Sequence, residues 1–169
     1  MTGPSVRSGS GSVSALHRKP ETPGERGLPK RSVPSVVVRR DGVEGDFNRW
    51  RQETRNGDRD LAILIHTEET LADLRAEGWP VMPGDLGENI LTRGVPYDAF
   101  VPPARFRFGS VLVETVKPCD PCDNLHLLPY VGPSKGAAFV RTMIGRRGWY
   151  GRVIDEGEIR VGDAVHRVA

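Results

Sequence analysis

The chain has 169 residues, of which 37% are hydrophobic and 27% charged, and its formal net charge at pH 7 is +2. This length fits one domain, and no apolar run approaches the roughly 18 residues that a membrane span requires, which excludes an integral membrane protein. The 20 glycines and 14 prolines favour short strands and turns over a long helical bundle.

The charge is unevenly distributed along the chain. Residues 1–40 contain eight basic residues against two acidic ones and so carry a net charge of +6. A basic end can indicate nucleic-acid binding, but no recognition motif accompanies it. Arginine accounts for 20 of the 24 basic residues, and arginine suits oxyanions and phosphates. We expect neither a nucleic-acid partner nor a membrane partner.

The first third of the chain is predicted to hold a tail, two strands and a polar flap. Residues 1–10 are small and polar, which is typical of a disordered tail, and residues 11–169 then form one domain. Apolar and β-branched runs between turn residues predict strands over residues 13–16 and 33–39. Residues 47–60 are very polar and predict a loop or a solvated flap.

The rest of the chain is predicted to combine short strands with two helices. Thr67 is placed to cap a helix that has two glutamates in its first turn and ends at Gly78. A second helix is predicted from Ser134 to Ile144. Strands are predicted over residues 61–65, 90–91, 105–116 as a hairpin, 149–154 and 164–168, with a hairpin turn at residues 156–157. This pattern without βαβ alternation favours a mainly β fold, a β-barrel with a few short peripheral helices.

The most informative segment is residues 117–125, KPCDPCDNL, in which two residues separate Cys119 from Cys122. It follows a predicted strand and precedes a short predicted helix, whose N-terminus would stabilise a thiolate. A thiolate can attack an electrophile, carry sulfane sulfur as a persulfide, or bind a soft metal. Two inert core residues are the alternative. With no disulfide framework and no signal-peptide pattern, we expect a reduced, cytoplasmic protein.

Three chemistries compete for these cysteines. Dithiol–disulfide exchange is the first, although the βαβ pattern of redox folds is missing around the pair. Zinc binding is the second, but no further Cys-x-x-Cys or spaced histidine pair completes a site beside His126. In the third, one cysteine accepts sulfur or binds molybdenum.

A second set of polar residues is suited to binding a ligand. The loop at residues 83–89, PGDLGEN, combines glycines that let a ligand approach the backbone with donor and acceptor side chains. Another glycine-rich turn, GVEGD, occupies residues 42–46. Arginines and a lysine elsewhere suit a phosphate: Lys30, Arg59, Arg146 and Arg147. Each feature alone is also typical of an ordinary turn or a solvated surface.

Taken in chain order, these segments resemble the MOSC domain, the C-terminal domain of molybdenum cofactor sulfurases. The resemblance runs from about residue 12 to residue 168, and seven motifs occur in the family's order before a C-terminal turn. The motifs are LPK at 28–30, GVEGD at 42–46, DRDLA at 58–62, PGDLGEN at 83–89, RFRFG at 105–109, PC at 121–122 and RRGWYGRVI at 146–154, with GEIRVGD at 157–163 as the turn.

The resemblance implies a β-rich barrel and makes Cys122, the cysteine of the Pro-Cys motif, the central residue. In the family this cysteine is thought to carry sulfur or to bind the molybdenum of a pterin cofactor. Relatives reduce N-hydroxylated compounds such as amidoximes and hydroxylaminopurines, whereas others are fused to a pyridoxal-phosphate cysteine desulfurase. By the resemblance, the residues that would hold the cofactor are Lys30, Asp46, Arg59, Asp85, Glu88, Asn89 and Arg146.

We therefore expect a stand-alone MOSC protein that binds molybdenum cofactor or carries sulfur through Cys122. Of the two, the resemblance favours a component of a molybdenum-dependent reductase that acts on a small N-hydroxylated substrate. The alternatives are a non-enzymatic persulfide carrier and a Cys-x-x-Cys thiol redox protein. A redox partner or a cysteine desulfurase would be the protein partner. Pyridoxal phosphate is not expected to bind, because the chain has no room for the fold that holds it.

The chain departs from the family pattern at three places. Phe47-Asn48 stands where members often have histidine, and Arg55-Asn56-Gly57 stands where they often have His-Gly-Gly. These differences leave open which group would act as a general acid. Cys119 stands where many members have arginine, so it becomes a candidate catalytic residue beside Cys122, as a resolving thiol or a second sulfur site.

Overall fold

The computed structural model describes residues 10–169. The predicted tail lies outside these residues except for Ser10, with which the first strand begins. The strands are β1 (Ser10–Arg18), β2 (Arg31–Val33), β3 (Ser35–Arg39), β4 (Gly42–Val43), β5 (Ile63–Thr67), β6 (Ile90–Arg93), β7 (Arg105–Phe108), β8 (Val111–Pro118), β9 (Trp149–Asp155), β10 (Gly157–Arg160) and β11 (Ala164–Val168). The α-helices are α1 (Arg49–Thr54), α2 (Glu68–Ala76) and α3 (Gly132–Thr142).

Seven of the strands close into a barrel. Their order is β11-β7-β8-β9-β5-β6-β1, and β11 pairs again with β1. Within the barrel, β5 and β6 pair in parallel and the other neighbours pair antiparallel. Closure leaves no open edge in these strands. β2 extends the sheet beyond β1, and β10-β3-β4 form a second small sheet. The predicted β-barrel with a few short helices is confirmed.

Apolar side chains fill the barrel and a second layer outside it. β7 shows how the alternation works, because Phe106 and Phe108 are fully buried in the barrel core while Arg105 is exposed on the opposite face. The second layer packs α2 and α3 against the barrel wall, with Leu74 and Phe139 fully buried in it. The helices therefore cover one side of the barrel.

The prediction of a loop or solvated flap over residues 47–60 is wrong, because the segment contains α1. The Asn48 side chain caps this helix by accepting a hydrogen bond from the Arg51 backbone N–H at 3.1 Å. The Arg51 side chain is buried and donates to the backbone carbonyls of Asp41, Gly57 and Asp58. An arginine that looks solvated in the sequence therefore holds the segment together.

Three other element predictions need correction. The run over residues 33–39 is broken at Pro34 into β2 and β3. The turn at residues 156–157 does not form a hairpin, because β10 pairs with β3 rather than with β9. Helix α3 begins at Gly132 with a proline in its first turn, so Ser134 is not its cap. The helix capped by Thr67 and the hairpin of β7 and β8 are confirmed.

Candidate functional site

The two cysteines lie on the loop that follows β8. At the end of that strand Pro118 pairs with Trp149 of β9, and the Cys119 N–H donates to the Gly148 carbonyl at 2.9 Å. Cys119 is buried and packs against Tyr150, whereas Cys122 is exposed. The register of β8 and β9 therefore places the cysteine loop directly opposite the turn that precedes β9.

Arg147 projects from that turn to the exposed cysteine. Its Nη1 donates to the Cys122 Sγ at 3.0 Å and to the Asp120 carbonyl at 3.2 Å. Its side chain is buried, at 7% residue exposure, and its Nε has no hydrogen-bond partner. The guanidinium thus donates its hydrogen bonds to a thiol and a carbonyl rather than to a carboxylate.

The turn that carries Arg147 is rigidly held. Gly148 has a φ of +103°, and a Cβ there would lie 2.6 Å from a carbonyl oxygen of β5, so only glycine fits. The Gly148 N–H donates to the Tyr97 hydroxyl at 2.8 Å. His66 Nδ1 accepts from the Thr67 N–H, so its Nε2 carries the hydrogen that bonds the Arg146 carbonyl at 2.8 Å. Burial lowers the pKa of His66 to about 4, which keeps this neutral form near pH 7.

The two thiols differ in their electrostatic surroundings. Burial raises the pKa of the Cys119 thiol, and the Arg147 charge opposes this only in part. Burial disfavours the Arg147 cation, but the neighbouring sulfurs outweigh it and raise the pKa of Arg147. Arg147 therefore stays charged, and its Nη1 contacts the exposed Cys122 sulfur at 3.0 Å. The helix predicted after Cys122 is only a short 3-10 helix, Asp123–Leu127, so the guanidinium is the group that faces the sulfur.

A second buried polar cluster contains three of the predicted site residues. Lys30 Nζ lies 2.6 Å from Asp46 Oδ2, which also accepts from Asn89 Nδ2 at 2.9 Å. Asp46 Oδ1 accepts from the Lys19 N–H, and Asn89 Oδ1 accepts from the Leu64 N–H. Both oxygens of the carboxylate and both ends of the amide are thus engaged, which is the arrangement that stabilises a buried ion pair.

Glu88 and Asp85 lie beside this cluster in the loop at residues 83–89. Glu88 and His17 are fully buried with Oε1 and Nδ1 3.8 Å apart, and both ring nitrogens lack a hydrogen-bond partner. Burial raises the pKa of Glu88 to about 7 and lowers the pKa of His17 to about 4. Asp85 Oδ2 accepts from the Tyr130 hydroxyl at 3.0 Å, which ties the loop to the segment that follows Cys122.

Tyr150 connects the two clusters. Together with Lys30, Asp46 and Asn89 it lines a small cavity, and on its other side it packs against Cys119. The Trp50 ring stacks on Tyr150 with 6.0 Å between ring centroids. Tyr150 was not among the predicted site residues, and Arg147 was predicted only as one of four cations that suit a phosphate. Their shared signal is the RRGWYG motif, which holds both residues.

The two remaining predicted cations, Arg59 and Arg146, contact carboxylates rather than the cysteines. Arg59 is exposed and donates to Asp41 Oδ1 at 2.8 Å. The Arg146 side chain does not share the partners of Arg147; it donates to Glu77 Oε1 at 3.0 Å. Each of these cations therefore already has a carboxylate partner.

Within residues 10–169, no three His, Cys, Asp or Glu side chains converge as a metal site. None of the helices in this part of the chain is long and apolar enough to cross a membrane.

A molybdenum pterin has a metal end and a phosphate end, and these residues suit the two ends to different degrees. The exposed Cys122 sulfur beside a cation is a suitable soft ligand for molybdenum. The phosphate end fits less well, because the predicted cations Lys30, Arg59 and Arg146 are each neutralised by a carboxylate. Arg147, by contrast, lies beside the thiol, and none of its hydrogen-bond partners is a carboxylate.

Comparisons with known proteins agree with the fold. The family model of the MOSC domain matches residues 52–166. The YuaD protein from Bacillus subtilis is 20% identical with a TM-score of 0.76, over 95% of this chain and 97% of that chain. YiiM from Geobacillus stearothermophilus is 25% identical with a TM-score of 0.66, over 95% of this chain and 75% of that chain. YiiM from Escherichia coli is 21% identical with a TM-score of 0.62, over 94% of this chain and 70% of that chain.

The comparison with curated proteins finds no match. The chain belongs to the MOSC domain family.

Proposed function

We propose that this MOSC protein carries sulfane sulfur on Cys122. The observation that supports the proposal is the contact between the exposed Cys122 sulfur and the buried Arg147 guanidinium at 3.0 Å. The thiolate is the form of cysteine that attacks sulfur, and a fixed cation beside it stabilises that form. Exposure of Cys122 lets a donor of protein size reach the sulfur.

The loading step conserves atoms and electrons. The Cys122 thiolate attacks the terminal sulfur of a donor persulfide, such as one carried by a cysteine desulfurase. One S–S bond forms to Cys122 while the S–S bond of the donor breaks, and the donor leaves as a thiolate. The proton stays on the terminal sulfur, or Arg147 stabilises the deprotonated persulfide by a charge-assisted hydrogen bond. A nucleophilic acceptor then removes the terminal sulfur and restores the Cys122 thiolate.

Binding of molybdenum cofactor is the second candidate function. The observation that favours it is the same soft and accessible thiol, which would be the metal ligand, with Arg147 beside it to hold an anionic group. When bound, the cofactor would supply two-electron chemistry of the kind that reduces N-hydroxylated compounds. A redox partner would then have to deliver the electrons.

The carrier proposal is tested by intact-mass measurement after treatment of the reduced protein with a persulfide donor. The donor is removed before the measurement, and Cys119→Ser and Cys122→Ser variants are treated in parallel. We expect one added sulfur atom on the Cys119→Ser protein and none on the Cys122→Ser protein. If Cys119→Ser gains no sulfur, Cys122 is not a sulfur carrier.

Elemental analysis tests the second candidate. The protein and a Cys122→Ala variant are purified from a host that makes molybdenum cofactor. Molybdenum in stoichiometric amount that disappears in the variant would support cofactor binding through Cys122. Equal molybdenum content in both proteins would contradict Cys122 as the ligand.

A further inference from the structure

Cys119 is a buried nucleophile that the proposed sulfur loading does not use. Its exposure is 5%, and it lies among Leu61, Leu64 and Tyr150. A donor of protein size cannot reach a thiol in this position. The group that Cys119 can meet is the exposed cysteine of the same loop, from which two residues separate it.

A short series of contacts links the two sulfurs. Cys119 Sγ lies 3.8 Å from the Asp120 carbonyl oxygen, which accepts from Arg147 Nη1 at 3.2 Å. The same Nη1 donates to Cys122 Sγ at 3.0 Å. One guanidinium nitrogen therefore contacts Cys122 Sγ directly and also binds the carbonyl oxygen that Cys119 Sγ approaches.

We infer that Cys119 discharges the persulfide of Cys122, releasing hydrogen sulfide and leaving a Cys119–Cys122 disulfide. This inference rests on the proposed loading of Cys122. It also specifies what happens to the terminal sulfur when no acceptor takes it: the sulfur is released as free sulfide. Cys119 is then a resolving thiol, and the disulfide is the discharged form of the protein.

The step balances without an external oxidant. The Cys119 thiol passes its proton to the terminal sulfur of the persulfide, and the resulting thiolate attacks the inner sulfur, which is the Cys122 Sγ. A new S–S bond forms between the cysteines, the bond to the terminal sulfur breaks, and the proton of the Cys119 thiol leaves with it as H₂S. The sulfane sulfur is reduced and the two cysteine sulfurs are oxidised. A thiol reductant then returns the disulfide to the dithiol.

The geometry favours attack on the inner sulfur. The Cys119 backbone is held by the hydrogen bond from its N–H to the Gly148 carbonyl at 2.9 Å. Cys122 is exposed, so a terminal sulfur attached to it extends toward solvent and can leave freely. Arg147 at the Cys122 Sγ supplies a positive charge where negative charge develops as the S–S bonds exchange.

The experiment follows the lifetime of the preformed persulfide. Wild-type, Cys119→Ser and Cys119→Ala proteins are loaded with a polysulfide, freed of donor, and sampled over time for intact mass and released sulfide. We expect the wild-type persulfide to decay in a first-order process at a rate independent of protein concentration. It should release one equivalent of sulfide and leave a product that is lighter than the dithiol by two hydrogens.

The variants separate this inference from the loading itself. Because an intramolecular thiol competes far better than one in solution, the persulfide should last at least about tenfold longer in both Cys119 variants. Equal lifetimes in wild type and variants would overturn the inference and leave sulfur loading intact. Absence of added sulfur from all three proteins would overturn the loading and this inference together.

Discussion

The molecule contains two neighbouring polar clusters whose charges are satisfied in different ways. In the Lys30–Asp46–Asn89 cluster the cation has a carboxylate 2.6 Å away, and the carboxylate has further donors on both oxygens. In the cluster of Arg147 and the cysteines, the cation contacts a thiol and a carbonyl and keeps one buried N–H without a partner. The first arrangement is that of a structural ion pair, and the second is that of a site prepared for an anion.

The difference shows why charge alone is a poor guide to reactive residues. Removing one member of a buried and complete ion pair leaves an uncompensated charge, so such residues are needed for folding. A buried cation that lacks a carboxylate instead stabilises whatever negative charge reaches it. Substitutions in the two clusters and in the residues around them test this division.

Asp46→Ala should be the most destabilising change, because it leaves Lys30 buried without its carboxylate. Breaking a buried pair from one side costs about 3–5 kcal/mol of unfolding free energy. Urea denaturation of the two proteins measures the loss. The matched control is Asp41→Ala, which removes the carboxylate of the exposed pair with Arg59 and should cost far less. Equal losses for both variants would remove the distinction between structural and exposed pairs.

Glu88→Gln should alter how stability depends on pH. The pKa of Glu88 is raised from 4.5 to about 7, so the folded protein binds this proton more tightly than the unfolded chain. That contribution is complete below pH 4.5 and is lost as the pH rises through about 7. Glutamine keeps the neutral state, so relative to wild type the variant should gain up to about 3 kcal/mol across this range.

Denaturation curves of both proteins at several pH values between 4 and 8 measure this gain. His17 contributes in the opposite sense, because its pKa is lowered from 6.5 to about 4 and its contribution is lost as the pH falls. Because His17 Nδ1 lies 3.8 Å from Glu88 Oε1, the difference between the two proteins reports the titration of this pair. A difference that does not change with pH would show that folding does not raise the pKa of Glu88.

Much of the fold was predictable because its signals are local. Alternation in Arg105–Phe108, the cap at Thr67 and the glycine-rich turns each depend on a few adjacent residues. The choice between Arg146 and Arg147 was not predictable in this way. It depends on the β8–β9 register, which shifts between Thr115 and Lys117 and sets the side chain that meets the cysteine loop. Burial of Arg51 likewise depends on carbonyls that only the folded chain brings together.

Arg147→Gln should slow the reaction of Cys122 with an alkylating agent about 10- to 100-fold at neutral pH. A hydrogen bond from a charged donor contributes about 1.5–3 kcal/mol, and each 1.4 kcal/mol lost from stabilisation of the reacting sulfur slows the reaction about tenfold. The rate is measured with Cys119→Ser in the background, so that one thiol is followed. Arg146→Gln is the matched control, since Arg146 pairs with Glu77, and its rate should equal that of the parent. Similar slowing by both changes would show that the overall positive charge near Cys122, and not the contact with Arg147, sets the rate.

The last substitution concerns the hydrogen bond between Tyr130 and the loop at residues 83–89. Tyr130→Phe removes the hydrogen bond to Asp85 at 3.0 Å and leaves the ring in its edge contact with Phe139. The free energy of unfolding should fall by about 1 kcal/mol, the usual net value of one such bond. Because Tyr130 ties the segment after Cys122 to the loop at residues 83–89, the variant should also exchange amide hydrogens faster in Asp123–Leu127. Faster exchange there with unchanged alkylation of Cys122 would show that Arg147 alone holds the reactive sulfur in place.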